Sequence, residues 1–390
     1  MTSLQTRPRK AFTLVELLVV ITIIGILAAL LTVAVGAAIR WARTAAIRWE
    51  LNQLSMALEE YKNKYGEYPP DFTNIDDVVN HVKLRWPHYI PGQAKGDTSN
   101  TYAVRLFDDL DLASRRFIDP KNPGSATAYW SLNPGNNGTN DYAKLAALAF
   151  WMGGFPDKSN IEASTLNFYS SARLGGFSAN PRDPFFLTVN SDKKCDEDGD
   201  DEREDMLNLA KRENTFYPFE PENWYHQPIP ASSTGNREPR APMILVKGKP
   251  VAYFRGTSSD TAKALRRAYL NDYGDNAKYD WTVPYISYAD YGVAVPYAKS
   301  GELSFDSGST PRTDDLAGDV QWHNPRTFQL IHPGLDGQFN GNDASVVTSS
   351  RVDDNFVSTS GDKAKNVTPL DFDNVVNLGE TATVESLLED

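Results

Sequence analysis

The chain is poor in the groups that usually advertise chemistry. It has a single cysteine, Cys195, so no disulfide can form within it and cysteine usage leaves the redox compartment open. Cys195 heads an acidic segment, a setting that disfavours the thiolate, and it reads as chemically idle. Of the five histidines (His81, His88, His226, His323 and His332), no two stand at metal-ligand spacing on one helical turn, and there is no HExxH pair. His323 and His332 flank an expected strand and read as surface or loop residues. There is no Gly-x-Ser-x-Gly elbow, no phosphate-binding loop and no dinucleotide fingerprint. Basic charge is scarce beyond residue 50, where 33 Lys and Arg face 49 Asp and Glu. A body of that sign argues against nucleic-acid binding, which needs clustered cations to displace counterions from phosphates. Acidic pairs are too common here to single out a glycosidase dyad.

What the chain does have is length and an apolar start. Its 390 residues are 41% hydrophobic and 11% aromatic, enough for one large or two modest domains with a real core. The 26 Gly and 24 Pro forecast a turn-rich, loop-rich body. Charge is uneven: residues 1–50 hold six bases and two acids, a net +4 against −16 for the rest. Leu17 to Ile39 is uncharged and almost wholly Leu, Ile, Val and Ala. As a helix these 23 residues span about 35 Å, enough to cross a bilayer's hydrocarbon core. A secretory signal has an apolar region of only about 7–15 residues, so this run is too long for one, although a cut near Ala37–Ala38 is conceivable. Basic residues flank both ends (Arg7, Arg9 and Lys10 before, Arg40, Arg43 and Arg48 after), so the positive-inside count does not orient the span.

Glu16 stands at the head of that run, where a carboxylate costs free energy if it enters lipid unpaired. One reading is that it lies at the interface and snorkels. The residues around it offer another. Lys10-Ala11-Phe12-Thr13-Leu14-Val15-Glu16 resembles the N-terminal signal of type IV pilins and type II secretion pseudopilins. The resemblance implies that a membrane prepilin peptidase cuts between Ala11 and Phe12 and that the new Phe12 amine is methylated. Glu16 is then the fifth mature residue. Ala11 stands where the family usually has Gly, a departure that keeps the position small. In such filaments the glutamate neutralises the N-terminal amine of a neighbouring subunit, which fits the rule that a buried charge is tolerable only when paired.

The helix is expected to continue past the apolar run. Ile47, Leu51, Leu54, Leu58, Tyr61 and Tyr65 fall three or four apart, one stripe of an amphipathic helix, with Arg48, Gln53, Glu59 and Lys62 opposite. Gly66 and then Pro69-Pro70 end it, so residues 12–65 form one helix of about 80 Å. The exit Gly66-Glu67-Tyr68-Pro69 resembles the Gly-x-Tyr-Pro turn after the long helix of major-type pseudopilins.

Beyond it, Ile75–Leu84, Tyr142–Met152 and Thr261–Tyr273 read as helices. Met243–Val246 and Val251–Phe254 read as strands joined by Lys247-Gly248-Lys249-Pro250, a second extended pair lies within 281–298, and Thr327–Ile331 reads as a late strand. Residues 133–141 form a low-complexity turn. Two acidic segments invite a calcium reading. One holds Asp196, Asp198 and Asp200 at alternate positions, but without the glycine and terminal glutamate placement of an EF-hand. The other, with Asp336, Asn340 and Asp343, resembles the Gly/Asp-rich loop after the last strand of major-type pseudopilins, where calcium is held by carboxylates and carbonyls. Plain solvated loops are the competing reading for both, and Asp371 and Asp373 stand near enough in sequence to join the second or to cap an element.

The expected fold is therefore α+β: a pilin-like long N-terminal helix, membrane-spanning in its first half, packed on a small antiparallel sheet, with a large loop-rich insertion. The expected parts are a basic leader at residues 1–11, a membrane or filament-core helix at 12–39, its amphipathic continuation at 40–65, an acidic extracytoplasmic body with the insertion at 66–318, and a C-terminal strand and Gly/Asp-rich region at 319–390. The resemblance implies a structural subunit, not an enzyme, whose partners are prepilin peptidase, other pilin or pseudopilin subunits and the inner membrane, with no nucleic acid. The large body favours a minor component, while the retained Glu16 argues against a tip subunit. The alternatives are a membrane-anchored surface binding protein that uses the helix only as an anchor, and an anchored hydrolase with its site in residues 71–318.

Overall fold

A computed structural model describes residues 14–72, 75–92, 101–116, 142–155, 174–187, 212–218, 224–228, 240–256, 266–268, 279–281, 286–288, 291–294, 296–300, 321–324, 326–339, 357–358 and 374–377. The fold is mixed α+β, with a long apolar N-terminal helix and several small sheets, mostly antiparallel. Helix α1 runs Leu14–Tyr65, followed by α2 (Ile75–Arg85), α3 (Tyr102–Arg116) and α4 (Tyr142–Gly153). The chain divides into two compact units within α1, at Ala46/Ile47.

In the first unit α1 shows its apolar side chains to the outside in every direction, from Leu14 through Ile39. In the second unit the expected stripe is buried: Ile47, Leu51, Leu54, Leu58 and Tyr61 enter the core, and Tyr65 packs at its margin. Gly66 terminates the helix with φ of +87°, its amide donating to Lys62 O at 2.7 Å. A Cβ at Gly66 would meet nothing, so only the left-handed backbone demands glycine there. Gly66→Ala should therefore cost about 1 kcal/mol of stability, read as a lower denaturant midpoint with an unchanged slope.

The first sheet is built from hairpins. Strands β1 (Trp224–Pro228) and β2 (Arg240–Val246) pair antiparallel, and β2 turns through Lys247-Gly248, both at positive φ, into β3 (Lys249–Pro250). That two-residue turn is shorter than the four-residue connection expected. Val251 then donates to Ile244 O at 3.1 Å, and the same chain continues as β4 (Ala252–Arg255). Thus one stretch, 249–255, pairs first with β2 and then with the later β11 (Phe328–His332), which in turn pairs with β13 (Val375–Val376). Between these lie β5 (Arg266–Ala268) with β6 (Tyr279–Trp281), the hairpin β7 (Ile286–Tyr288) and β8 (Gly292–Ala294), and β9 (Tyr297–Ser300), flanked by β10 (Gln321–Trp322) and by β12 (Val357–Ser358), the latter parallel to it.

Two expectations need correction. Residues 266–268, inside the helix expected at Thr261–Tyr273, are a strand: Arg267 lies opposite Asp280 and Arg266 opposite Trp281, cross-strand partners that override local helix propensity. His332 is no surface residue; it is the last residue of β11 and fully buried. The low-complexity segment at 133–141 lies outside the described residues.

The aromatic core forms around α4, which is apolar but for Lys144 and is buried from residue 144 to 153. Phe150 meets Phe72 and Phe177 edge to face, Trp151 stacks on Phe72 and Trp86, and Trp86 meets Phe177 and Phe185 edge to face. Helix α3 escaped the sequence reading. Its signals are the Thr101 hydroxyl facing the Val104 amide and the buried run Leu106, Phe107, Leu110 and Ala113.

Candidate functional site

Two features of the molecule call for a function: the uncovered apolar helix and the polar clasp at its exit. Ala11 and Phe12 lie outside the described residues. Glu16 is exposed in the first turn of α1, where the helix dipole favours a carboxylate. The helix that follows is long and apolar enough to cross a membrane, with none of its most apolar window buried inside the chain. Its two hydroxyls are satisfied internally, Thr22 Oγ1 donating to Leu18 O at 2.7 Å and Thr32 Oγ1 to Ala28 O at 2.8 Å. Neither threonine therefore adds an unpaired polar group to an apolar surround. A surface of this kind is stable only when lipid or other apolar helices cover it.

The exit turn ties α1 to the body. Tyr68 folds back and donates from its hydroxyl to Glu59 Oε1 at 2.6 Å, while the Lys62 ammonium sits 4.5 Å over its ring. Pro69 O accepts from the buried Tyr253 hydroxyl of β4 at 2.6 Å. Asp71 Oδ2 accepts the Arg255 amide at 3.0 Å, and Glu67 Oε2 accepts Arg255 Nη2 at 2.8 Å. Each residue of the Glu67-Tyr68-Pro69 stretch thus makes a separate connection, two of them to β4.

Behind the turn runs a buried polar line. Arg85 Nη1 donates to the Tyr61 hydroxyl at 3.0 Å, Tyr61 lies 2.6 Å from His81 Nε2, and His81 Nδ1 lies 2.6 Å from Glu67 Oε1. The proton positions follow from chemistry. Burial holds the His81 imidazole down at about 4 despite the hydrogen bond to Glu67, so the ring is neutral at pH 7. Burial pushes the Glu67 carboxyl up, but the hydrogen bonds from His81 and the Arg255 charge outweigh it and hold the group below its ordinary value. A neutral ring facing an ionised carboxylate must carry its proton on Nδ1, leaving Nε2 to accept from Tyr61. The His81–Glu67 contact is therefore a hydrogen bond to a neutral ring rather than an ion pair.

Glu67, His81 and Tyr61 have the parts of an acid–imidazole–hydroxyl relay, but Tyr61 and His81 are both 0% exposed, and burial pushes the Tyr61 hydroxyl up to about 12. No substrate reaches that hydroxyl, and the line joins elements instead of presenting a nucleophile. Arg85 extends it. Its guanidinium lies 4.3–4.4 Å from the Tyr65, Trp86 and Phe177 ring centroids and donates to Glu213 Oε2 at 3.1 Å. Glu213 also accepts from Tyr65 at 2.9 Å. It is placed by Gly176, where a Cβ would meet Glu213 O at 2.0 Å. In sequence this line shows only as polar residues at 81 and 85 on an otherwise apolar stripe of α2.

Of the calcium candidates, only Asp336 lies among the described residues. Asp196, Asp198, Asp200, Asn340, Asp343, Asp371 and Asp373 lie outside the described residues. Asp336 is exposed, and its Oδ1 accepts the Gln338 amide at 2.8 Å, a local turn bond. Among the described residues no group of three or more His, Cys, Asp or Glu side chains could hold a metal ion.

Comparison with known proteins returns one result. Residues 6–32 match the family model of the prokaryotic N-terminal methylation motif. No curated protein and no solved structure matches the chain. The matched residues take in Ala11, Phe12 and Glu16 together with most of the uncovered apolar helix, and the acidic body lies outside the match. The chain thus carries at its N-terminus the prokaryotic methylation motif, the signature of type IV pilins and pseudopilins.

Proposed function

We propose that this chain is a pilin-like structural subunit, cut by prepilin peptidase between Ala11 and Phe12, methylated on Phe12, and assembled into a type II secretion pseudopilus or type IV pilus-like filament. The supporting observation is a coincidence of position: the methylation motif ends within a helix whose apolar side chains are left exposed by the described residues. Before assembly lipid covers them. In the filament neighbouring helices do, and each large apolar side chain withdrawn from water then contributes about 1.5–3 kcal/mol.

The chain enters the inner membrane once, with the body outside the cytoplasm, and the filament extends into the periplasm or beyond the cell. A body of this size hinders dense lateral packing, which favours a minor component. The clasp of Glu67, Pro69 and Asp71 on β4 suits a subunit pulled by its helix, because load on α1 passes into the sheet through several short hydrogen bonds. The closed Glu67–His81–Tyr61 line favours a structural role for these residues over a hydrolytic one.

Mass spectrometry of the protein purified from membranes tests this. The expected N-terminal peptide begins with N-methyl-Phe12. An intact Met1, or a start near Ala38, would sink the filament reading and leave a membrane-anchored binding protein.

A further inference from the structure

The turn after β11 opens the Gly/Asp-rich segment in which the pseudopilin resemblance implies calcium, and two of its carbonyl oxygens are already engaged. Gly334 O and Leu335 O converge on one point, and Lys249 Nζ occupies it, at 3.1 and 2.7 Å. The lysine stem is lodged there. Gly337 has φ of +82°, and a Cβ on it would meet Lys249 Nζ at 2.8 Å and Cε at 3.0 Å. A larger residue at 337 would displace the ammonium. The carboxylate beside these carbonyls, Asp336, turns instead to the Gln338 amide. A calcium ion needs six to eight oxygens at about 2.3–2.6 Å. Placed on these two carbonyls, it would lie against the fixed positive charge of the lysine.

Lys249 comes from the tip of the β2–β3 hairpin, which has two other anchors. Lys247 forms an ion pair with Glu50 of α1, and Val246 O accepts from the buried His332 Nε2 at 2.9 Å. The hairpin tip therefore reaches the helix, the end of β11 and the following turn within four residues.

We infer that the Lys249 ammonium is the resident cation of this turn, taking the place between the Gly334 and Leu335 carbonyls that a divalent ion would need, so that the turn closes without metal. The residues do not fit calcium at 334–336. A tethered cation comes with the fold, and the order of this turn follows the hairpin rather than the surrounding ion concentration.

Hydrogen exchange of the full chain in detergent, read on a peptide covering 333–339, tests this. Three amides report closure: Gly337 donates to Pro333 O, Gln338 to Asp336, and Phe339 to Tyr291 O. In the wild type their protection should be the same in chelator and in millimolar calcium. In Lys249→Met they should exchange at least tenfold faster in chelator, while a peptide from α4 keeps its protection. Calcium-dependent protection of the wild-type turn would overturn the inference whatever the variant does. So would a Lys249→Met protein whose turn exchanges like the wild type.

Discussion

Glu16→Ala should leave the chain membrane-inserted and cleaved, yet lower its recovery in sheared filaments by at least tenfold. The first unit of the molecule presents an apolar helix with one carboxylate near its start and no other charge before Arg40. The proposed cleavage before Phe12 would create an amine four residues away. In a filament core both groups leave water, and each is tolerable only against the opposite charge of another subunit. Removing one partner of a buried pair costs about 3–5 kcal/mol, because the other is left uncompensated. Alanine leaves the helix intact, so insertion and cleavage are spared. Glu16→Gln keeps the shape and loses the charge, and it should fail like alanine, whereas Glu16→Asp should recover part of the assembly. Equal incorporation of wild type and Glu16→Gln, measured by immunoblot of sheared filaments, would remove the charge-pairing role.

Acid should unfold the body well before most carboxylates titrate. Burial holds His81 at about 4, and it holds His332 at about 4 as well, with the Lys249 charge adding to the effect. In the unfolded chain an imidazole titrates near 6.5. Each ring is thus neutral in the fold and takes up a proton more readily once unfolded. The stability this represents is complete above pH 6.5 and is lost as pH falls from 6.5 towards 4. A tenfold difference in proton affinity between fold and unfolded chain is worth about 1.4 kcal/mol, so each ring forfeits about 3 kcal/mol over that window. The lowered Glu67 carboxyl adds a loss that begins only near its ordinary value and continues below it. Urea unfolding of the full chain in detergent at pH 7.5 and pH 4.5 should show a fall of several kcal/mol. His81→Asn should be weaker at pH 7.5 and show a shallower pH slope. A wild-type stability flat between these pH values would mean that neither ring is held neutral by the fold.

Helix α1 was legible from the sequence. Leu17–Ile39 showed as a long uncharged apolar run, the stripe from Ile47 to Tyr65 as a period near 3.6 residues, and Gly66 stops the helix because a left-handed backbone favours glycine. The hairpin around Gly248 was legible for a similar local reason, although its turn proved to be two residues rather than four. Residues 266–268 were misread because their strand state depends on partners at 279–281, which no local window contains. His332 looked like a loop residue because the strand's end by pattern fell one residue early. Its burial comes from the β2 hairpin lying across it.

The sequence alone determined which part of the chain is apolar enough to cross a membrane, and that residues 6–32 carry the methylation motif. Both are properties of contiguous residues, and hydrophobicity and motif are read along the chain. Only the tertiary structure decided what holds the helix exit to the body and what stands at the Gly334–Leu335 carbonyls. Glu67 meets Arg255 across 188 residues, Arg85 meets Glu213 across 128, and Lys249 reaches Leu335 across 86. Such pairings depend on which distant side chains the core brings within hydrogen-bond distance, and a buried polar group takes whichever complementary partner it finds there. That is why a loop whose composition invites calcium is closed by a lysine from a hairpin far earlier in the chain.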